Sequence, residues 1–187
     1  NFKESLMLSG VQYLFYESYD RQSDTRNLLV RTLDTLANLS APKLIETLDS
    51  KRRSQGDFTI KASQDRSKFA VFTNPPYERF GSENFYVRVY GADLAEDWNA
   101  DIELNVRDRN FNIIDFDLSN SGDVFILSAF DNSPNVMLQS GKDLDYKLMR
   151  IGAGDNNQIT EFDLGLRNVA VHSLGIECDL KDNQLAI

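Results

Sequence analysis

The sequence predicts an all-β chain, a partial β-propeller of about three four-stranded antiparallel blades plus the start of a fourth, and three observations predict it. Four strand-like segments, Gln12-Tyr13-Leu14-Phe15, Lys68-Phe69-Ala70-Val71, Asp123-Val124-Phe125-Ile126 and Gln184-Leu185-Ala186-Ile187, recur at intervals of 56, 55 and 61 residues. Repeats of this size made of short strands imply units whose apolar faces are covered only by neighbouring units. Arg31, Arg88 and Arg150 follow Val30, Val87 and Met149 at spacings of 57 and 62, so the third strands of the units are expected to share a register. The apolar stretches are near-continuous, rich in aromatic and β-branched residues and bounded by turn residues, a pattern of strands rather than helices.

The elements follow in order. The first blade, about residues 5–49, holds strand candidates Ser5–Leu8, Val11–Tyr19, Asn27–Asp34 and Lys43–Leu48, with turns at Ser9-Gly10 and in the polar stretch Asp20–Thr25. Leu14 and Tyr16 alternate with Tyr13 and Phe15, so the second strand is apolar on both faces and needs cover on both. The second blade, about 56–106, repeats the layout with Phe58–Ala62, Lys68–Thr73, Asn84–Tyr90 and Ala100–Val106. Asn74-Pro75-Pro76 interrupts it, since proline cannot donate to a ladder. The third, about 111–166, runs Asn112–Leu118, Asp123–Ala129, Tyr146–Ile151 and Ile159–Leu164, with a long polar loop from Asp131 to Asp143. A fourth, about 168–187, opens with Val169–Glu177 and turns at Lys181-Asp182-Asn183.

The segment Ser63-Gln64-Asp65-Arg66-Ser67-Lys68-Phe69-Ala70-Val71, echoed as Ser119-Asn120-Ser121-Gly122-Asp123-Val124-Phe125-Ile126, resembles the serine–proline–aspartate–glycine turn of TolB-type and related bacterial propeller repeats. Gln64 stands where proline is common and Arg66 where glycine is common. The resemblance implies an exported, extracytoplasmic protein of a class whose members bind other proteins or glycans. Propellers close with roughly four to eight blades, so this reading expects further units in a larger parent protein, or another chain over the open faces.

Composition excludes several classes. A formal charge of −9 and a pI near 4.6 argue against nucleic acid, whose phosphates require clustered Lys and Arg. No apolar run approaches the length of a transmembrane segment. Cys178 is the only cysteine, so no intramolecular disulfide forms and no Cys/His cluster holds zinc. No cofactor is expected.

Candidate catalytic groups are few. His172, the sole histidine, reads as a hydrogen-bonded or half-exposed strand residue rather than a general base. Ser173 beside it points to the opposite face of an extended strand. Cys178 is six residues from His172, roughly 20 Å along a strand, and reads as a buried structural thiol. Asp117-Leu118-Ser119-Asn120-Ser121-Gly122-Asp123 spaces its oxygens somewhat like a calcium loop but lacks the later bidentate acid, so it reads as a hairpin turn. Gly152-Ala153-Gly154-Asp155 is a turn, too short for a dinucleotide fingerprint. Lys51-Arg52-Arg53 is a solvated connector, and Trp98 is a blade-packing residue before it is a sugar platform. No catalytic or metal residues are assigned.

The remaining candidate is an interaction loop. Pro75-Pro76-Tyr77-Glu78-Arg79-Phe80 lies between the second and third strands of a blade, on one rim, and would offer Tyr77, Arg79 and Phe80 to a partner. The expected function is a non-catalytic protein-interaction or scaffolding role with a protein partner. The alternative is a glycan-binding or hydrolytic propeller whose site is completed by blades outside this chain.

Overall fold

Alternation along each strand decides which neighbour its side chains meet, and three sheets result. In the computed structural model the described residues are 1–49, 56–78, 80–131, 144–154, 158–166, 171 and 173–178, with the backbone of 185–186. The first sheet is an antiparallel meander of β1 (Phe2–Leu8), β2 (Val11–Asp20), β3 (Thr25–Leu33) and β4 (Lys43–Asp49). The second has the same order in β5 (Asp57–Ala62), β6 (Lys68–Asn74), β7 (Ser82–Gly91) and β8 (Glu96–Arg107). A single 3-10 turn, Asp108–Asn110, leads into the third: β9 (Phe111–Leu118), β10 (Val124–Asp131), β11 (Leu144–Ile151) and β12 (Thr160–Asp163).

Where the sequence reading places a long strand over Val169–Glu177, the structure differs. Val171 and residues 173–176 are outside any strand, and only β13 (Glu177–Cys178) pairs, with β14 (Leu185–Ala186). The physical reason lies in β9, whose acidic side chains capture this backbone in place of a neighbouring strand. The Ile176 N–H donates to Asp115 Oδ2 (3.3 Å) and the Cys178 N–H to Asp117 Oδ2 (2.7 Å).

The sheets stack face to face in chain order. Tyr13, Phe15, Leu28 and Val30 of the first sheet share one core with Phe58, Ile60, Phe69 and Val71 of the second, and Phe15 meets Phe69 edge-on at 5.3 Å. Phe72, Phe85, Val87 and Val89, on the other face of the second sheet, share a core with Phe116, Val124, Ile126, Met149 and Ile151 of the third. Leu127 and Leu148, on the third sheet's far face, pack with Ile176. The middle sheet is therefore covered on both sides, which is why β6 reads as a continuous apolar run.

The same faces show that the sheets repeat in one sense and correct the repeat spacing. Phe15, Phe72 and Leu127 each look toward the following element, which sets the true intervals at 57 and 55 residues rather than 56 and 55. A one-residue slip turns every side chain of a strand to the other face. The arginine echo fails for the same reason. Arg88 faces back to Glu46 of the first sheet (3.2 Å), whereas Arg150 is opposite in parity to the core residues Met149 and Ile151 and bonds Asp123 within its own sheet (3.1 Å).

The first strands run beside one another, β1 by β5, β5 by β9 and β9 by β13. Lys3 pairs with Asp57 and Lys61 with Asp115, each at 2.6 Å. The turns between first and second strands are joined from sheet to sheet. The Ser9 N–H donates to the Arg66 carbonyl (3.2 Å) and the Asp65 N–H to Asn120 Oδ1 (3.0 Å). In the serine turns, Ser63 Oγ accepts from the Lys68 N–H (3.0 Å) and Ser119 Oγ from the Asp123 N–H (2.9 Å). Arg66 (φ +61°) and Gly122 (φ +97°) both take the left-handed conformation. Arg66 thus adopts, at a steric cost, what glycine adopts freely.

Candidate functional site

Strand alternation puts two kinds of connection at the end opposite those stitched turns: second to third strand within a sheet, and fourth strand to the next sheet. Between the second and third sheets these two connections enclose a cleft of about 430 Å³. β6 stops at Asn74 because Pro75 and Pro76 offer no N–H, and the chain loops out through Tyr77 and Phe80 before β7 begins. Asn74, Tyr77, Glu83, Asp108, Phe111 and Asn112 line the cleft, with Arg109 at its edge.

Glu83 is the unusual member. It shares the parity of Phe85, Val87 and Val89, so it points into the core between the sheets, and it is only 5% exposed. Opposite it the β7–β8 register jumps from Ser82↔Arg107 to Asn84↔Glu103, a bulge that breaks regular pairing next to Glu83. Burial pushes the Glu83 carboxyl up to about 8, and the charge of Asp108 and a hydrogen bond to it push in the same direction.

Asp108 ties the two connections together. Its Oδ2 accepts the Glu78 N–H (2.7 Å), and its own N–H donates to the Gly81 carbonyl (3.2 Å). The Gly81 N–H closes the loop on the Glu78 carbonyl (3.0 Å). Phe111 forms the apolar wall, stacked near Phe85 (6.4 Å) and edge-on to Phe130 (5.0 Å). A smaller hollow of about 260 Å³ continues past Arg109, Phe111 and Asn112 toward Ala129 and Asp131.

Of the residues the sequence singles out, Tyr77 lines this cleft and is half exposed, and Phe80 is 79% exposed on the same loop. Arg79, His172, Lys51-Arg52-Arg53 and Asp155 lie outside the described residues. Trp98 packs against the second core and donates its Nε1–H to the Gly122 carbonyl (3.0 Å), a bridge from the second sheet to the third. The Cys178 thiol is buried and is pushed up to about 12 by burial and by Asp117. Among the described residues no three His, Cys, Asp or Glu side chains cluster as a metal site.

The sequence reading missed Glu83 and Asp108. The signal for Glu83 was present: one acid at the head of the alternating row Phe85-Val87-Val89, on the side that must be buried. Asp108 required knowledge of where the chain turns between sheets.

Chemically, the pair holds one proton between two carboxyls and can donate or accept it near neutrality. A glycosidase pair needs its carboxyls about 5 Å or more apart to admit a sugar carbon or a water. Glu83 and Asp108, in hydrogen-bond contact, are too close for that role. Comparison of the chain with protein-family models, with curated proteins and with solved structures finds no match.

Proposed function

We propose that this chain forms part of a β-propeller and acts as a non-catalytic interaction or scaffolding module, engaging a protein partner at the end that carries Tyr77 and Phe80. One observation carries the reading: two large aromatic side chains are exposed on a loop that Asp108 fastens at both its amide and its carboxylate. A fastened loop presents anchors with little ordering cost on binding, and aromatic residues dominate binding energy where they are buried by a partner. The propeller part is supported by the single sense of stacking and the adjacent first strands. Its blades would be the three sheets, with residues from about 168 opening the fourth.

The test is comparative capture from the source organism's extract. A protein retained by the wild-type chain should be lost with Tyr77→Ser/Phe80→Ser and kept with Leu36→Ser, an exposed apolar change at the opposite end. Equal retention by all three chains would overturn the reading. An extracytoplasmic location is part of the proposal, supported by the likeness of the serine turns to TolB-type repeats, and cell fractionation tests it.

A second reading, glycan binding in the same cleft, is favoured by the amides of Asn74 and Asn112 beside Tyr77. Glycan-array binding that is lost with Asn112→Ala would support it over the protein partner.

A further inference from the structure

We propose that Glu83 and Asp108 form a proton-operated latch, which pins the Tyr77–Phe80 loop while one proton lies between the two carboxyls and loosens it when that proton leaves. The inference rests on reading this loop as the partner-binding element and adds its regulation.

The geometry dictates the coupling. Two carboxyls in hydrogen-bond contact must share a proton, because both ionised at that distance would repel. Glu83 is held in β7 between core residues and has no room to withdraw. Asp108 stands on a single 3-10 turn with no buried residue, so it is the partner that yields. When it yields, the loop loses the acceptor of the Glu78 N–H and the donor to the Gly81 carbonyl together.

The surroundings do not supply a substitute for the proton. From the loop, Tyr77 and Glu78 face the pair; from the turn, Asp108 and Arg109; from β6 and β9, the neutral Asn74, Phe111 and Asn112. Arg109 is the cation among these described residues, and its Nε donates to Asn110 Oδ1 (3.2 Å). Asp108 alone accounts for the electrostatic part of the Glu83 shift. With Glu83 titrating at about 8, the latch opens in the mildly alkaline range.

The test is amide hydrogen exchange at Glu78 in the full chain without any partner, from pH 6 to 9, corrected for the intrinsic pH dependence of exchange. Wild-type protection should fall about tenfold between pH 8 and 9, as one released proton requires. Glu83→Gln, a neutral isostere, should stay flat across the range. If that variant does not fold, Asp108→Asn removes the same repulsion and should also be flat. A flat wild type, or a variant that falls with it, overturns the latch. Because no partner is present, these outcomes are separate from whether Tyr77 and Phe80 bind one.

Discussion

Truncating Phe15 and its neighbour Leu14 should give very different costs, because one residue along a strand changes the sheet that covers it. Phe15 is completely buried between the first and second sheets, edge-on to Phe69, whose ring in turn stacks on Tyr90 at 5.0 Å. Phe15→Ala removes the ring from this row and leaves a cavity that rigid sheets on both sides cannot collapse, costing about 3–5 kcal/mol. Against a typical domain stability of about 5–15 kcal/mol, that is a large fraction. Leu14 points out of the other face of β2, is half buried and belongs to none of the described cores. Leu14→Ala should therefore cost under about 1 kcal/mol, the range of ordinary surface changes. Urea unfolding of the two variants beside wild type measures this, with unchanged m-values as the check that the midpoint shift reports stability. Equal losses would refute the stacking argument, since they would require another sheet over the outer face of the first.

Other consequences are more local. Glu83 binds its proton more tightly folded than unfolded, so its contribution to stability is fullest below the ordinary carboxyl range and is lost as pH rises toward about 8; Glu83→Gln should melt above wild type at pH 8 and near it at pH 5, and a parallel pH dependence of the two would sink this. Gly56 has φ +60° and an added Cβ would stand 2.5 Å from the Asn74 carbonyl, so Gly56→Ala should lose about 1–3 kcal/mol in thermal or urea unfolding. Cys178, with its thiol pushed up to about 12, should resist a thiol reagent at pH 8 in the native protein and react at once when urea is added. Prompt native labelling would contradict its burial.

Strand centres were legible because their apolar content is dictated by the sheets on either side. Strand ends were less so. β8 begins at Glu96, in a stretch that reads as a polar turn, because Trp98 is carried across to Gly122 of the next sheet, a distant contact that leaves no local pattern. β1 begins at Phe2 although its first half is exposed; Lys3 bonds Asp57 and Glu17 there, and the Asn1 ammonium donates to the Glu17 carbonyl (2.8 Å). The repeat itself was visible, but its first interval was off by one because Phe69 and Phe72 are both apolar and either aligns with Phe15. Only packing distinguishes them. Tyr77 was legible from the proline break before it, whereas the Glu83–Asp108 contact depends on a bulge and on a turn between two sheets.

The two ends of this molecule differ in how much change they can absorb. At one end Ser9, Asp65, Arg66 and Asn120 stitch three successive hairpins, and the Ala92 N–H donates to the Ser67 carbonyl (3.0 Å) while Lys43 Nζ reaches the Leu94 carbonyl (2.7 Å). An inserted residue there would break bonds in two sheets at once. At the other end the connections differ in length from one sheet to the next and are held by few contacts, so extra residues add only the slowly growing entropy of a longer loop. New recognition sequences can be grafted between Tyr77 and Phe80 without disturbing the frame, and tolerance to mutation across the chain should divide between the two ends.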